Sequence, residues 1–164
     1  MRVAMMLADH AVVAGGKLYV NGGGWSIRSA APLETYIALK LDVPWDQTDQ
    51  TMEISLRLVD EDGHPVRVGV GPAPDWAAPD ASGRPGRPPA GEALPAPLQL
   101  TTRITVQRPP GLVPGAPADA LLAFRVPPFP LPAGCRFSWR LAIDGHEHED
   151  WVLQFATSTA SPGS

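Results

Sequence analysis

Apolar and polar side chains alternate with a period of two along most of this chain, and no stretch carries the spacing of a long amphipathic helix. Leu33, Thr35, Ile37, Leu39, Leu41 and Val43 share one parity, with Glu34, Tyr36, Lys40 and Asp42 on the other. Met52, Ile54, Leu56 and Leu58 alternate with Glu53, Ser55 and Arg57. Leu98, Leu100, Thr102, Ile104 and Val106 alternate with Gln99, Thr101, Arg103 and Thr105. Phe137, Trp139, Leu141 and Ile143 alternate with Arg136, Ser138 and Arg140, and Trp151, Leu153 and Phe155 follow. Weaker runs cover Arg2–Leu7, Lys17–Trp25, Val66–Val70 and Ala120–Val126. Successive side chains of a strand point to opposite faces, so each run buries one face and wets the other. The pattern predicts an all-β, antiparallel sandwich of eight to nine short strands.

Parity also predicts the turns, because directly opposed residues of a hairpin lie on the same face. Ile54, Leu56 and Leu58 are expected opposite Val70, Val68 and Val66, leaving Glu61-Asp62-Gly63 as a three-residue loop with Gly63 in the left-handed position. Near the C-terminus the same reasoning takes Ile143-Asp144-Gly145 as the loop, sets Phe137 opposite Trp151 and Cys135 opposite Leu153, and gives Gly145 the left-handed role. Between Gly71 and Pro97 stand eight prolines in 27 residues. Prolines give a sheet no amide donors, and this stretch offers few apolar side chains to bury. Residues 72–97 are therefore expected to be a flexible insertion, dispensable for folding, in a single domain of residues 1–157, with 158–164 a frayed tail. As a proline-rich ligand for a groove-bearing domain, the insertion has a second reading.

Composition narrows the class. The chain has 164 residues and a formal net charge of −4, with 18% charged and 44% hydrophobic residues. Twenty prolines and 16 glycines bring the chain close to the proportion at which composition alone indicates disorder. The mild acidity and the lack of a Lys/Arg block argue against nucleic acid and anionic membranes as partners. A single cysteine, Cys135, rules out an internal disulfide and every multi-cysteine metal motif. Only six apolar residues, Val3 to Ala8, precede Asp9 and His10, too few for a signal peptide, and no window reaches the length of a membrane span. A cytoplasmic location is the default. Eleven arginines against two lysines, with abundant Ala, Pro and Gly, fit a G+C-rich genome.

Candidate chemistry is sparse. In His146-Glu147-His148-Glu149-Asp150, two histidines on one strand face could reach a metal. The expected register sets His146 opposite Ala142 and His148 opposite Arg140, however, and a guanidinium disfavours a dication, so a solvated hairpin tip is preferred and no metal or other cofactor is expected. Cys135 shares the parity of Phe137 and Trp139 and has no evident activating base, which reads as a buried, inert thiol. Asp9-His10 resembles half of a charge relay, yet no serine sits in a glycine-flanked elbow. Gly15-Gly16 and Asn21-Gly22-Gly23-Gly24 lack the following helix and the spacing of a phosphate cradle, so a tight turn and a bulge or close backbone approach are expected. Arg57 and Arg67 are expected to face each other outward, solvated or holding an anion. Trp25, Trp45, Trp76 and Phe129 fall in loops or at strand ends, where aromatics anchor a protein partner, stack on a sugar or plug the open ends of a sandwich.

The segment from Ala8-Asp9-His10-Ala11 through Gly15-Gly16-Lys17-Leu18 to Gly22-Gly23-Gly24-Trp25 resembles a small, uncharacterised actinobacterial family. Further matches are Val43-Pro44-Trp45-Asp46, Leu58-Val59-Asp60-Glu61-Asp62-Gly63, Arg108-Pro109-Pro110-Gly111-Leu112 and Trp139-Arg140-Leu141-Ala142-Ile143-Asp144-Gly145, which together span most of the chain outside the insertion. The resemblance implies an immunoglobulin-like β-sandwich of unassigned function and supplies no catalytic residues. Phe137 stands where such sandwiches often carry a tyrosine. The leading expectation is a non-catalytic binding or scaffolding module that contacts a protein partner through loop aromatics or a free sheet edge. A carbohydrate or small-ligand binder is the alternative, by analogy of fold. An enzyme comes third, because no acid–base pair, nucleophile or metal set has suitable spacing.

Overall fold

The computed structural model describes residues 1–68 and 96–159, and nearly all of its regular structure is β. The strands are β1 (Arg2–Ala14), β2 (Lys17–Gly23), β3 (Ile27–Arg28), β4 (Thr35–Val43), β5 (Thr51–Asp60), β6 (Arg67–Val68), β7 (Ala96–Pro97), β8 (Gln99–Thr105), β9 (Ala118–Val126), β10 (Arg136–Ile143) and β11 (His146–Thr157). They form one sheet in the order β2-β1-β4-β9, a second in the order β3-β11-β10-β5-β8, and a small β6-β7 pair. All pairings are antiparallel except β3 with β11, which is parallel and was not anticipated, since two residues cannot show an alternation. Among the described residues no helix is long and apolar enough to cross a membrane.

The apolar parities of the two larger sheets meet in one core. Ile37, Leu39, Leu41 and Val43 from β4 pack with Ile54, Leu56 and Leu58 from β5 and with Phe137, Trp139 and Leu141 from β10. Trp139 is 2% exposed. Removing such side chains from water, at roughly 25 cal/mol per Å² of apolar surface, is the main force joining the sheets.

Two expected registers differ from those observed. Leu58 does meet Val66, whose amide donates to the Leu58 carbonyl at 2.9 Å, and Glu61-Asp62-Gly63 is the loop, with Gly63 at φ +83°. Beyond that point β8 takes this edge of β5: Leu56 pairs with Leu100 rather than Val68, and Ile54 pairs with Thr102, while Val70 lies outside the described residues. Val68 turns instead to Ala96, so the last two residues of the expected insertion form β7. The seven-residue β8 gives β5 a longer ladder than the short stretch after Pro65 can. At the second hairpin Ile143 pairs with His146, so the loop is the two residues Asp144-Gly145, at φ +50° and +77°. The register then shifts between Arg140 and Ala142, and Phe137 pairs with Phe155 and Trp139 with Leu153. A bulge thus restores the parity that the sequence reading assigned to a longer loop.

Candidate interaction surface

Strand β1 serves two partners in succession. From Arg2 to Ala8 it pairs with β4 over the core, and from Ala8 onward it pairs with β2. From His10 to Ala14 it has no β4 partner, so the β1–β2 hairpin extends past the β4 ladder as an arm. Gly15 and Gly16, at φ +56° and +69°, close it with a two-residue turn that side-chain-bearing residues adopt only with strain. At the base of the arm Gly22 holds φ +61°, and a Cβ on it would meet the Asp9 side chain, 2.1 Å from a carboxylate oxygen.

The arm carries several exposed apolar side chains, although Ala11 on it is buried and Leu18 half-buried. Of nine large hydrophobic residues that stay exposed among the described residues, five lie on β1 and β2: Met6, Val12, Val13, Tyr19 and Val20. Tyr19 is 54% exposed. Val12 pairs with Tyr19 on one face, and Val13 with Leu18 and Ala11 with Val20 on the other, so both faces of the arm are apolar. An open groove of about 680 Å³ runs between Ala11–Val13, β8 and β9. β2 ends its sheet, and among the described residues no strand pairs with its outer side.

The outer surface of β4 and β9 mixes small or apolar residues such as Ala38, Leu121 and Ala123 with charged side chains that pair with one another. Lys40 bridges Asp42 at 2.9 Å and Asp119 at 3.0 Å, while Arg125 grips Glu34. The Arg125 hydrogen bond holds the Glu34 carboxyl below the usual carboxylate range, and the Lys40 hydrogen bond does the same to Asp42. Tyr36 donates to Glu34 at 3.3 Å and its ring lies 4.9 Å from that of His10. This line from His10 to Arg125 borders the apolar arm.

The sites expected from sequence fall elsewhere and are not brought together. Phe129 is buried in the core under the Arg28 guanidinium, whose pKa desolvation lowers. Trp25 packs on the core edge-on to Phe155, and its indole Nε1 is buried without a partner. Trp45 starts a 3-10 turn and stacks beneath Arg108, 4.0 Å from the ring centre. Trp76 lies outside the described residues. Cys135 is half-buried rather than buried, since it sits just before β10 begins at Arg136. Arg57 faces Gln99 and Arg140 and pairs with Glu147 at 2.8 Å, while Arg67 pairs with Pro97, so the expected Arg57–Arg67 pairing does not form.

The histidine tip is also rearranged. His146 opposes Ile143 and Glu147 opposes Ala142, and the bulge takes His148 away from Arg140. His146 Nδ1 is 3.0 Å from the Asp144 carbonyl, and His148 accepts from the Asp150 amide and lies against Trp151. Among the described residues, the metal-ligand side chains that cluster are Asp60, Asp62 and His64, on the exposed Gly63 loop. There Asp60 Oδ1 already accepts the amides of Asp62 and His64. A second concavity, of about 400 Å³, is lined by Gln47, Gln50, His146 and Trp151 among others.

The arm residues were not singled out from sequence, although a signal exists. Ala11-Val12-Val13-Ala14 and Leu18-Tyr19-Val20 are apolar on both parities, which a strand with one wet face does not need. No curated protein and no solved structure matches the chain. Residues 3–156 match the model of a family of unknown function, DUF6941, and the chain belongs to that family.

Proposed function

We propose that this protein is a non-catalytic binding module of the cytoplasm, an immunoglobulin-like sandwich that engages a protein partner through the β1–β2 arm. The carrying observation is the concentration of exposed Val12, Val13, Tyr19 and Val20 on one hairpin that runs past the β4 ladder and has an open edge, with Met6 exposed at its base. Exposed apolar side chains gathered on one element mark an interaction site, and an open edge adds backbone hydrogen bonds that any extended partner can use. The loop aromatics support this role less well, because Phe129 and Trp25 are spent on the core and Trp45 on Arg108. In-cell cross-linking with mass spectrometry is the test. Cross-links from a partner are expected on Arg2–Gly23 and are expected to vanish in Val12→Lys/Tyr19→Lys with folding intact. Partner cross-links confined to the outer face of the five-stranded sheet would overturn the reading.

One observation favours a second reading. The 400 Å³ pocket sets Trp151 beside the amides of Gln47 and Gln50, a combination suited to a small polyhydroxylated ligand. Saturation-transfer NMR with a sugar panel, compared between the wild type and Trp151→Ala, decides it.

A further inference from the structure

We propose that the partner of the arm is a second copy of this chain, joined by antiparallel pairing of the two β2 edges about a two-fold axis at Tyr19. The proposal rests on the reading of the arm as a docking surface and names its occupant. The two-residue turn makes Ala14 and Lys17 the closing hydrogen-bonded pair. Antiparallel ladders alternate, so the backbone groups of Lys17, Tyr19 and Asn21 point at β1, and those of Leu18 and Val20 point away from it.

A two-fold pairing centred on Tyr19 sets Leu18 of each copy opposite Val20 of the other. The outward amides and carbonyls then meet in four backbone hydrogen bonds. Shifting by one residue would turn inward-pointing groups of one strand toward the outward groups of the other. Moving the axis to Leu18 or Val20 brings Gly16 or Gly22 into the ladder, and both hold positive φ, off the strand conformation. The centred register is therefore the one that the backbone of this edge favours.

Charge agrees with it. Residues 8–24 carry one acidic residue, Asp9, and one basic residue, Lys17, in a chain of net charge −4, so the surplus charge of two copies lies away from the contact. In the centred register Lys17 faces Asn21, and no like charges oppose each other. Leu18-Tyr19-Val20-Asn21 has none of the prolines or charges with which open edges are usually guarded. Both faces of the arm also gain a neighbour. Tyr19 meets its symmetry mate beside Val12, and Leu18 meets Val20 beside Val13 and Ala11, which accounts for a strand pair apolar on both parities. The two sheets become one eight-stranded sheet.

The test needs no unidentified partner and uses the full chain alone in analytical ultracentrifugation. The wild type is expected at twice the chain mass. Tyr19→Lys and Tyr19→Glu place like charges across the axis, so each alone is expected as a monomer, and an equimolar mixture is expected to restore the dimer. Val20→Pro, which removes an outward amide and leaves the β1 ladder alone, is expected to dissociate the dimer, with circular dichroism confirming the fold. A monomeric wild type, or a dimer unmoved by Tyr19→Lys, overturns the proposal. If the wild type is monomeric while Val12→Lys/Tyr19→Lys still loses partner cross-links, the second copy is wrong and the docking role of the arm stands.

Discussion

The β1–β2 and β10–β11 hairpins close in the same way and end in opposite chemistry. Both use a two-residue loop with positive φ at each position, Gly15-Gly16 in one and Asp144-Gly145 in the other. In the first, the register runs unbroken from Ala14–Lys17 to Ala8–Gly23, and the side chains around the tip are Val12, Val13, Tyr19 and Val20. In the second, the register shifts near Arg140, and the strand leaving the turn carries His146, Glu147, His148, Glu149 and Asp150. Turn backbone decides how a hairpin closes, whereas the side chains beyond the core decide what it offers. A charged tip is content in water, and an apolar one is stable there only at a cost that a partner can remove.

The two hairpins differ most in their ties to the core. Trp139→Ala on β10 is expected to destabilise the domain by about 3–5 kcal/mol, the range for large buried aromatics. Tyr19→Ala on β2, exposed in the single chain, is expected to stay within about 0.5 kcal/mol when measured in the monomeric Val20→Pro background, where the dimer contact does not contribute. Chemical denaturation of both variants measures the contrast, and equal losses would show that the arm belongs to the core.

Gly22→Val is expected to cost the roughly 1–2 kcal/mol of a left-handed non-glycine residue plus a smaller steric part, because the Asp9 carboxylate can rotate away but its Cβ stays 3.1 Å from the new one. Adding Asp9→Gly is expected to return the steric part and leave the backbone part, a coupling that a double-mutant cycle reads directly. Gly145→Val tests the other hairpin with no neighbour in the way. A Cβ there meets nothing within 4 Å, so only the conformational cost of about 1–2 kcal/mol is expected, measured by the shift in melting temperature.

The smallest effect lies on the charged border of the arm. Arg125 and Lys40 lower the Glu34 and Asp42 carboxyls in the folded state. Lowered acids contribute stability above their unfolded pKa values, and that stability is lost as pH falls through the folded ones. Glu34→Gln is therefore expected to be slightly less stable than the wild type at neutral pH and to converge with it in strong acid. Urea midpoints across pH follow this, and parallel curves would show that the pair contributes nothing.

Local pattern was enough to read the buried faces of β4, β5 and β10, because alternation records which side of a strand is dry whatever lies on that side. Ile37 to Val43 and Ile54 to Leu58 are inward as their parity requires. The positive φ of Gly63 and Gly145 was equally local, since a tight turn between two strands of known parity leaves few backbone solutions. Pairing partners were not local. That β8 displaces the stretch after Pro65 from β5, and that β11 carries a bulge, depends on which strands compete for one edge. The extent of β1 beyond Ala8 was hidden for the same reason, because Asp9-His10 looks like an end until β2 is there to pair with it. Valines 12 and 13 look like core in sequence, but they lie past Ala8, where β1 leaves its ladder with β4 and pairs only with β2. Alternation tells a chain which face to bury, but only the tertiary pairing decides where a ladder ends and an exposed apolar arm begins.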